Sequence, residues 1–349
     1  MNLTLNEIEF WLRQNDPQKL EELWDRADRL RRQTVGDAVH LRGLLEISNY
    51  CMRICAYCGL SCQNTRLQRY RMTAEEILDC IRQIAEFGYG TVVIQAGEDY
   101  QIRADWLAEI VKTIKQTTPL AVTLSMGERP MDDLQLWKQA GADRYLLRFE
   151  TSDPQLYRLI HPPRPGQTEN RLDILASLRD LGYEVGSGVM IGIPGQSYRT
   201  LANDIALFAK LDLDMVGVGP YIPHPDTPLG SGQASSFIDS DEQTPNTEAM
   251  TYKVIALTRL VCPEANIPST TALATINRDS GRELGLSRGA NIVMPNCTPV
   301  QYRQLYEIYP GKACINETAS ACQVCLAERI ASLGRTIGIG PGGRKHGRK

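Results

Sequence analysis

The amino-acid sequence predicts an α/β fold: a full (β/α)8 barrel with a helical extension at its amino end and a cysteine-bearing extension at its carboxyl end. From residue 43 onward, short apolar runs alternate with amphipathic helical stretches, a pattern typical of parallel βα units. The chain has 349 residues, a length that suits one large barrel with extensions.

Eight apolar runs are candidate strands, at residues 43–48, 91–97, 121–126, 144–150, 184–193, 215–222, 266–271 and 291–296. Candidate helices lie between them, at residues 73–87, 103–116, 131–140, 168–181, 198–210, 246–261 and 280–288. The first helix begins with Thr73 and has Glu76 three residues on, a capping-box arrangement, and Gly88 follows its end. Eight such units predict a closed barrel of TIM type.

Three segments surround or interrupt this pattern. Residues 1–40 are charged and helical in period, so we expect a helical cover before a barrel at residues 41–300. Residues 301–349 form a C-terminal extension that ends in a basic tail. Residues 223–245 are rich in Pro, Ser, Gly and Asp, and we expect a long loop serving the active site.

The composition limits the possible partners. Lys and Arg total 38 against 41 Asp and Glu, and a net charge of -3 does not favour nucleic acid or an anionic membrane as the main partner. No apolar run approaches the roughly 20 residues that cross a bilayer, and the first ten residues do not resemble a signal peptide. We therefore expect a cytoplasmic protein that acts on a small molecule.

The cysteines are clustered, which in a cytosolic chain favours metal binding over disulfides. Cys51, Cys55 and Cys58 directly follow the first candidate strand, at the end of a barrel where active sites are built. Three thiolates on a four-iron cube leave one iron open for a substrate, and thiolates suit iron or zinc. A zinc site closed by Cys62, or a redox-sensing or structural quartet, is the alternative.

The motif C-M-R-I-C-A-Y-C, with Tyr57 before the last cysteine, resembles that of the radical S-adenosylmethionine (radical SAM) superfamily. Over residues 40–345 the chain further resembles the HydE family of [FeFe]-hydrogenase maturases, in the stretches EISNYCMRICAYCGL, GYEVGSGVMIGIPGQ, DMVGVGPYIPHPDTPL and YRQLYEIYPGKAC. Methylornithine synthase and biotin synthase are related families of the same shape.

The resemblance implies a [4Fe–4S] cluster on Cys51, Cys55 and Cys58 that reductively cleaves S-adenosylmethionine to a 5′-deoxyadenosyl radical. It implies a role in assembling the di-iron cluster of the hydrogenase, with a small or organometallic cysteine-containing substrate. Other maturation proteins and a reductant would be the partners. The alternatives are a radical mutase like methylornithine synthase and a non-catalytic iron–sulfur carrier.

The resemblance also implies which residues bind the cofactor and which bind the substrate. Ser125, Glu150 and Arg171 match positions that bind the cofactor. The residues matching the substrate pocket are Thr123, Arg144, Thr270, Thr271 and Tyr309. An ordinary surface ion pair is the alternative for Glu150 and Arg171, and a strand end or helix cap is the alternative for Thr270 and Thr271.

A second group, Cys314, Cys322 and Cys325, matches a peripheral auxiliary cluster of some HydE members, either [2Fe–2S] or [4Fe–4S]. A structural metal or unused thiols are the alternative. We expect this group to lie away from the barrel mouth and to be dispensable for the chemistry.

Overall fold

The computed structural model describes residues 3–163, 170–232 and 241–344. Its strands are β1 Ala38–Ser48, β2 Thr91–Ala96, β3 Ala121–Ser125, β4 Arg144–Leu146, β5 Glu184–Ile191, β6 Met215–Pro220, β7 Ile292–Val293 and β8 Thr336–Ile337. Its helices are α1 Leu5–Arg13, α2 Pro17–Thr34, α3 Ala74–Glu86, α4 Ala104–Thr117, α5 Met131–Gln139, α6 Pro154–Ile160, α7 Arg171–Asp180, α8 Tyr198–Lys210, α9 Glu248–Val261, α10 Thr271–Ile276, α11 Gly281–Ser287, α12 Val300–Arg303 and α13 Ala319–Ser332.

Seven parallel strands form one curved sheet in the order β6-β5-β4-β3-β2-β1-β7, and the short β8 pairs with the start of β1. The architecture is a parallel α/β partial barrel. Its strands are apolar on both faces, as in β2, because the helices cover the outside and the cavity lies within. The helical N-terminal segment packs through α1 on α8 and through α2 on α9.

Helix α3 confirms the capping box and the C-terminal glycine that the sequence predicted for it. Thr73 caps α3, and its hydroxyl accepts from the backbone N–H of Glu76 while the Glu76 carboxylate accepts from the N–H of Thr73. Gly88 follows the helix with a φ of 71°, a conformation that favours glycine. Residues 168 and 169, in the predicted helix before α7, lie outside the described residues.

Two predicted strands are wrong in extent. The run 266–271 is not a continuous strand, since Asn266 and Pro268 make only isolated bridges, to Met215 and Ile292, and α10 already begins at Thr271. Proline has no N–H to donate to a ladder, which explains the interruption. The run 291–296 is paired as a strand only over Ile292–Val293. The sequence predicted eight regular strands in the barrel, whereas the barrel sheet of the described residues contains seven.

The end of β4 and the C-terminal segment also differ from the prediction, by smaller amounts. Strand β4 ends at Leu146, four residues earlier than predicted. Beyond it the pairing with β5 is irregular, and Glu150, with a φ of 64°, makes only an isolated bridge to Val189. In the 223–245 loop, residues 233–240 lie outside the described residues, as do residues 345–349 of the basic tail. The segment before that tail forms β8, which sequence patterning did not predict.

Candidate functional site

A cavity of about 350 Å³ opens at the carboxyl ends of the strands and extends inward to Arg42 on β1. Cys51, Cys55 and Cys58 line it, on the loop that directly follows β1. Cys62, the alternative fourth ligand, is exposed and is not part of the lining. The three thiols therefore share one cavity, as a three-cysteine cluster site requires.

Backbone hydrogen bonds hold the cysteine loop to three other parts of the barrel rim. The N–H of Met52 donates to the carbonyl of Glu98 at 3.0 Å, and the N–H of Ala56 donates to the carbonyl of Ile160 at 2.8 Å. The N–H of Gly59 donates to the carbonyl of Ile308 at 3.1 Å. These bonds fix the loop before any ligand binds, because they tie it to the segment after β2, to the last residue of α6 and to the segment after α12.

Burial makes the bare thiols poor acids. It raises the pKa of Cys55 to about 12, and it raises the pKa values of Cys51 and Cys58 as well. The thiols are therefore protonated at neutral pH unless a metal displaces the protons. A buried set of thiols on a cavity wall fits a soft metal centre and does not fit a disulfide or a surface redox switch.

Several buried polar atoms on the cavity wall lack a hydrogen-bond partner within the described chain. They are Thr123 Oγ1, Arg148 Nε, Tyr221 Oη and Glu150 Oε2, the last having only a 3.3 Å ion-pair contact with Arg148. Burying such atoms unpaired costs about 1–3 kcal/mol each. A polar ligand that enters the cavity would remove this cost, so these atoms mark a binding site.

The residues predicted to bind the cofactor all reach this cavity. Ser125 ends β3, Glu150 lies after β4, and Arg171 is the first residue of α7. The positive φ of Glu150 is strain of the kind found at functional sites. The Arg171 guanidinium already donates to Glu128 at 2.8 Å and to Glu98 at 3.1 Å, so a ligand carboxylate would have to share it.

A buried charged network adjoins Cys55, and sequence analysis missed it. His161 Nδ1 lies 3.0 Å from Cys55 Sγ, and its Nε2 lies 3.1 Å from Glu128 Oε1. Arg53 Nη1 is 3.3 Å from Glu128 Oε2, and Arg171 contacts both His161 and Glu128. Burial and the two arginines lower the pKa of His161 to about 3, so the ring is neutral. Only the positions of Glu128 and His161 after successive strands could have indicated this network.

Glu98, Glu128 and His161 place one ligand atom each within 4.8 Å of one another, which is close enough for a metal ion. The guanidiniums of Arg53 and Arg171 lie among them and pair with both carboxylates. Because these cations already neutralise the carboxylates, the arrangement is an ion-pair network and does not favour a metal cation.

Most residues predicted for the substrate line the same cavity, namely Thr123, Thr270, Thr271 and Tyr309. Arg144 does not, which corrects its predicted position. Its guanidinium pairs with Glu184 at 2.6 Å and donates to Thr91 Oγ1 at 3.0 Å and to the carbonyl of Pro341 at 3.2 Å, at the amino end of the strands. The cavity arginine next along the chain is Arg148.

Three further residues on the cavity wall were missed by sequence analysis. Lys312 and Glu46 form a buried ion pair, and Tyr306 is 2% exposed with its hydroxyl 3.2 Å from Gln95 Nε2. Glu46 sits inside an apolar strand, where a carboxylate is unusual, and that was the available signal.

The second cysteine group lies outside the cavity. Cys314 and Cys322 are neighbours, and Arg282 Nη2 is 3.4 Å from Cys314 Sγ. A hydrogen bond from Cys322 and the nearby Arg282 guanidinium lower the pKa of Cys314 to about 6. The same hydrogen bond, together with burial, raises the pKa of Cys322. Cys325, one turn later on α13, is exposed. Two of the three cysteines are thus in contact.

Comparison with known proteins adds independent findings. Residues 45–208 match the family model of the radical SAM superfamily. The chain is 48% identical over 331 residues to the [FeFe] hydrogenase maturase subunit HydE of Thermotoga maritima, covering 95% of this chain and 91% of that protein. It is 29% identical to 3-methylornithine synthase of Methanosarcina barkeri, over 83% of this chain and 79% of that enzyme.

The crystal structure of a methylornithine synthase superposes with a TM-score of 0.78 at 25% identity, covering 97% of this chain and 95% of that one. This similarity agrees with the partial barrel described above. Among the described residues, every helix is too short or too polar to pass through a lipid bilayer.

Proposed function

The chain belongs to the HydE family of [FeFe]-hydrogenase maturases within the radical SAM superfamily, and on that premise we propose roles for the residues of its cavity. It is a radical SAM enzyme of hydrogenase maturation, and the family implies a [4Fe–4S] cluster and S-adenosylmethionine. A small-molecule substrate and other maturation proteins are implied by the same role. The residues that bind these groups are our proposal.

Cys51, Cys55 and Cys58 would hold the cluster. The supporting observation is that these thiols lie on one cavity whose wall also carries the unpartnered atoms of Thr123 and Arg148. When bound, the cluster supplies the electron that cleaves S-adenosylmethionine reductively to a 5′-deoxyadenosyl radical. The residues of the cavity would bind and orient S-adenosylmethionine and the substrate and would keep water out of the cavity.

Ser125, Glu150 and Arg171 would bind S-adenosylmethionine beside the cysteine loop. The Glu150 carboxylate can accept from ribose hydroxyls or an ammonium group through Oε2, which accepts no hydrogen bond from the described residues and has only the ion-pair contact with Arg148. The Ser125 hydroxyl can donate or accept at the end of β3. Arg171 can share its guanidinium with a carboxylate, as it now does with two.

Deeper in the cavity, Thr123, Thr270, Thr271 and Tyr309 would bind the substrate, with Arg148 in the cationic role first predicted for Arg144. Arg148 Nε has no acceptor among the residues that the structure describes, and the hydroxyls on the cavity wall suit a carboxylate or another anion. We propose a cysteine-containing iron species as substrate and a separate reductant as electron donor.

An enclosed interior would protect the radical, and we propose that residues 266–269 complete the barrel wall as its eighth member. The N–H of Val216 donates to the carbonyl of Asn266 and that of Ser269 to the carbonyl of Ile292, each at 2.9 Å. These bonds span the gap between β6 and β7. Residues 1–40 and 301–349 would be extensions of a barrel domain at 41–300.

Cys314, Cys322 and Cys325 would bind a peripheral auxiliary cluster, [2Fe–2S] or [4Fe–4S]. The contact between Cys314 and Cys322 and the lowered pKa of Cys314 support a thiolate site. Because Cys325 is exposed and the group lies off the cavity, the cluster would be dispensable for cleavage of the cofactor.

The cluster assignment is tested with a Cys55→Ala variant, purified anaerobically and reconstituted with iron and sulfide. We expect loss of 5′-deoxyadenosine formation by more than about 10³-fold, since a two-thiolate site cannot hold the cube stably. Cys62→Ala is the matched control and should retain wild-type turnover. Turnover by Cys55→Ala at the wild-type rate, or its loss in Cys62→Ala with normal folding, would refute the assignment.

A further inference from the structure

His161 follows α6 and is 1% exposed, so its ring nitrogens have protein partners only. Nδ1 faces Cys55 Sγ at 3.0 Å, which is short for a contact with sulfur. Nε2 faces Arg171 Nη2 at 3.0 Å and Glu128 Oε1 at 3.1 Å. The ring thus connects a cysteine of the cavity to the buried ion-pair network.

The partners decide which nitrogen carries the hydrogen when Cys55 is a metal ligand. A ligating cysteine is a thiolate and has no hydrogen to donate. A lone pair on Nδ1 would then repel the sulfur, so a 3.0 Å contact is favourable only if Nδ1 carries the hydrogen. In that tautomer Nε2 is an acceptor, and Arg171 Nη2 supplies a donor at 3.0 Å.

Arg171 can do this without giving up its other partners. Its Nη2 has two hydrogens, one directed to Glu98 Oε1 at 3.1 Å and one to His161 Nε2. Its Nε donates to Glu128 Oε1 at 2.8 Å, and Arg53 Nη1 lies 3.3 Å from Glu128 Oε2. The Glu128 carboxylate therefore accepts from two guanidiniums. In this tautomer Glu128 Oε1 faces the Nε2 lone pair at 3.1 Å, and the Arg171 guanidinium offsets that repulsion because it donates to both atoms.

We propose that His161 is a positioning residue that donates an Nδ1–H···S hydrogen bond to the Cys55 thiolate and thereby raises the reduction potential of the cluster. The inference rests on the proposed assignment of the cluster to Cys51, Cys55 and Cys58. A donor beside a ligand sulfur stabilises the extra negative charge of the reduced state, and such bonds are among the main determinants of cluster potentials.

Two substitutions of His161 distinguish the role of Nδ1 from that of Nε2. In His161→Asn the amide N–H₂ takes the place of Nδ1 and keeps a donor beside Cys55. In His161→Gln the amide takes the place of Nε2, where its oxygen can accept from Arg171 Nη2, and no donor faces Cys55. Redox titration of the cluster by EPR, without S-adenosylmethionine, should give a potential near wild type for His161→Asn. For His161→Gln the reduced-to-oxidised ratio at a fixed potential should fall roughly tenfold, about 59 mV for one electron.

A wild-type potential in His161→Gln at full iron and sulfide content would overturn the proposal, and so would equal shifts in both variants. Wild-type protein labelled with ¹⁵N-histidine avoids any folding defect: pulsed EPR of the reduced cluster should detect one coupled histidine nitrogen, and its absence would also overturn the proposal. An absent cluster signal in wild type would instead refute the proposed function itself.

Discussion

At the residue scale, Arg144 and Arg148 show that alternation along a strand predicts which face a side chain is on but not how deep in the barrel it lies. Both residues have the same parity, so a regular strand would direct both inward. Four residues of strand nevertheless span about 13 Å, enough to separate the two ends of a barrel. Arg144 contacts Thr91 and Glu184 at the amino end, and Arg148 lines the cavity. Parity follows from the sequence, whereas depth depends on where β4 begins and ends.

This separation predicts opposite defects in two variants. Arg148→Gln should reduce the yield of active hydrogenase in a maturation assay about tenfold or more, because a hydrogen bond to a charged group contributes about 1.5–3 kcal/mol, and should leave Tm nearly unchanged. Arg144→Gln should lower Tm by several degrees, because it removes one partner of the Glu184 ion pair, and should retain maturation yield. Loss of maturation yield in Arg144→Gln, with the yield retained in Arg148→Gln, would contradict this prediction and place the substrate at the amino end of the barrel strands.

At the scale of elements, the C-terminal segment closes the amino end of the partial barrel. Strand β8 pairs with β1, and the N–H of Gly338 donates to the carbonyl of Val39 at 2.9 Å. The carbonyl of Gly342 accepts from Arg42 Nη2 at 3.1 Å and from Asn266 Nδ2 at 3.0 Å. The glycine-rich sequence suggested only a flexible tail there, because a two-residue strand has no periodicity of its own.

A side chain at Gly90 should dislodge this segment. The Cβ of a Gly90→Ala variant would overlap the backbone of Gly340, so either the turn before β2 or the segment must move. We expect a loss of about 1–3 kcal/mol in the free energy of unfolding and faster tryptic cleavage after Arg335.

Gly182→Ala is the control for this prediction. Its φ of 84° makes alanine strained, but its nearest neighbour is an ordinary 3.8 Å contact with Lys138. It should lose stability while the C-terminal segment stays protected from trypsin. Equal protection in both variants would show that the segment does not depend on Gly90.

At the scale of the whole molecule, packing of the partial barrel buries the three thiols of one loop, and this burial makes metal loading pH-dependent. Burial raises the pKa of Cys55 to about 12 and raises those of Cys51 and Cys58, so binding a metal expels protons at neutral pH. Below these pKa values, each thiol that deprotonates adds about a tenfold gain in affinity per pH unit. Affinity must therefore rise with pH.

Cobalt(II), which reports thiolate ligation by its absorption, provides the measurement. When cobalt(II) is titrated into the apo-protein between pH 6.5 and 8.5, its Kd at the three-cysteine site should fall by up to roughly 10³-fold per pH unit, on the basis of tenfold for each of three thiols. Cys55→Ala should bind with a weaker and shallower dependence. A pH-independent Kd in wild-type protein would contradict protonated thiols in the apo-protein.

The sequence by itself determined the class of fold, the cysteine loop after β1 and the capping of α3, because each depends on residues close together in the chain. The family and its proposed cluster ligands were recognisable for the same reason, since Cys51, Cys55 and Cys58 lie within eight residues. Only the tertiary structure decided that Arg148 and not Arg144 reaches the cavity, and that His161 joins Cys55 to Glu128 and Arg171. These contacts join residues 10 to 106 positions apart in the chain, so their geometry is set by how the strands and helices pack and not by local pattern.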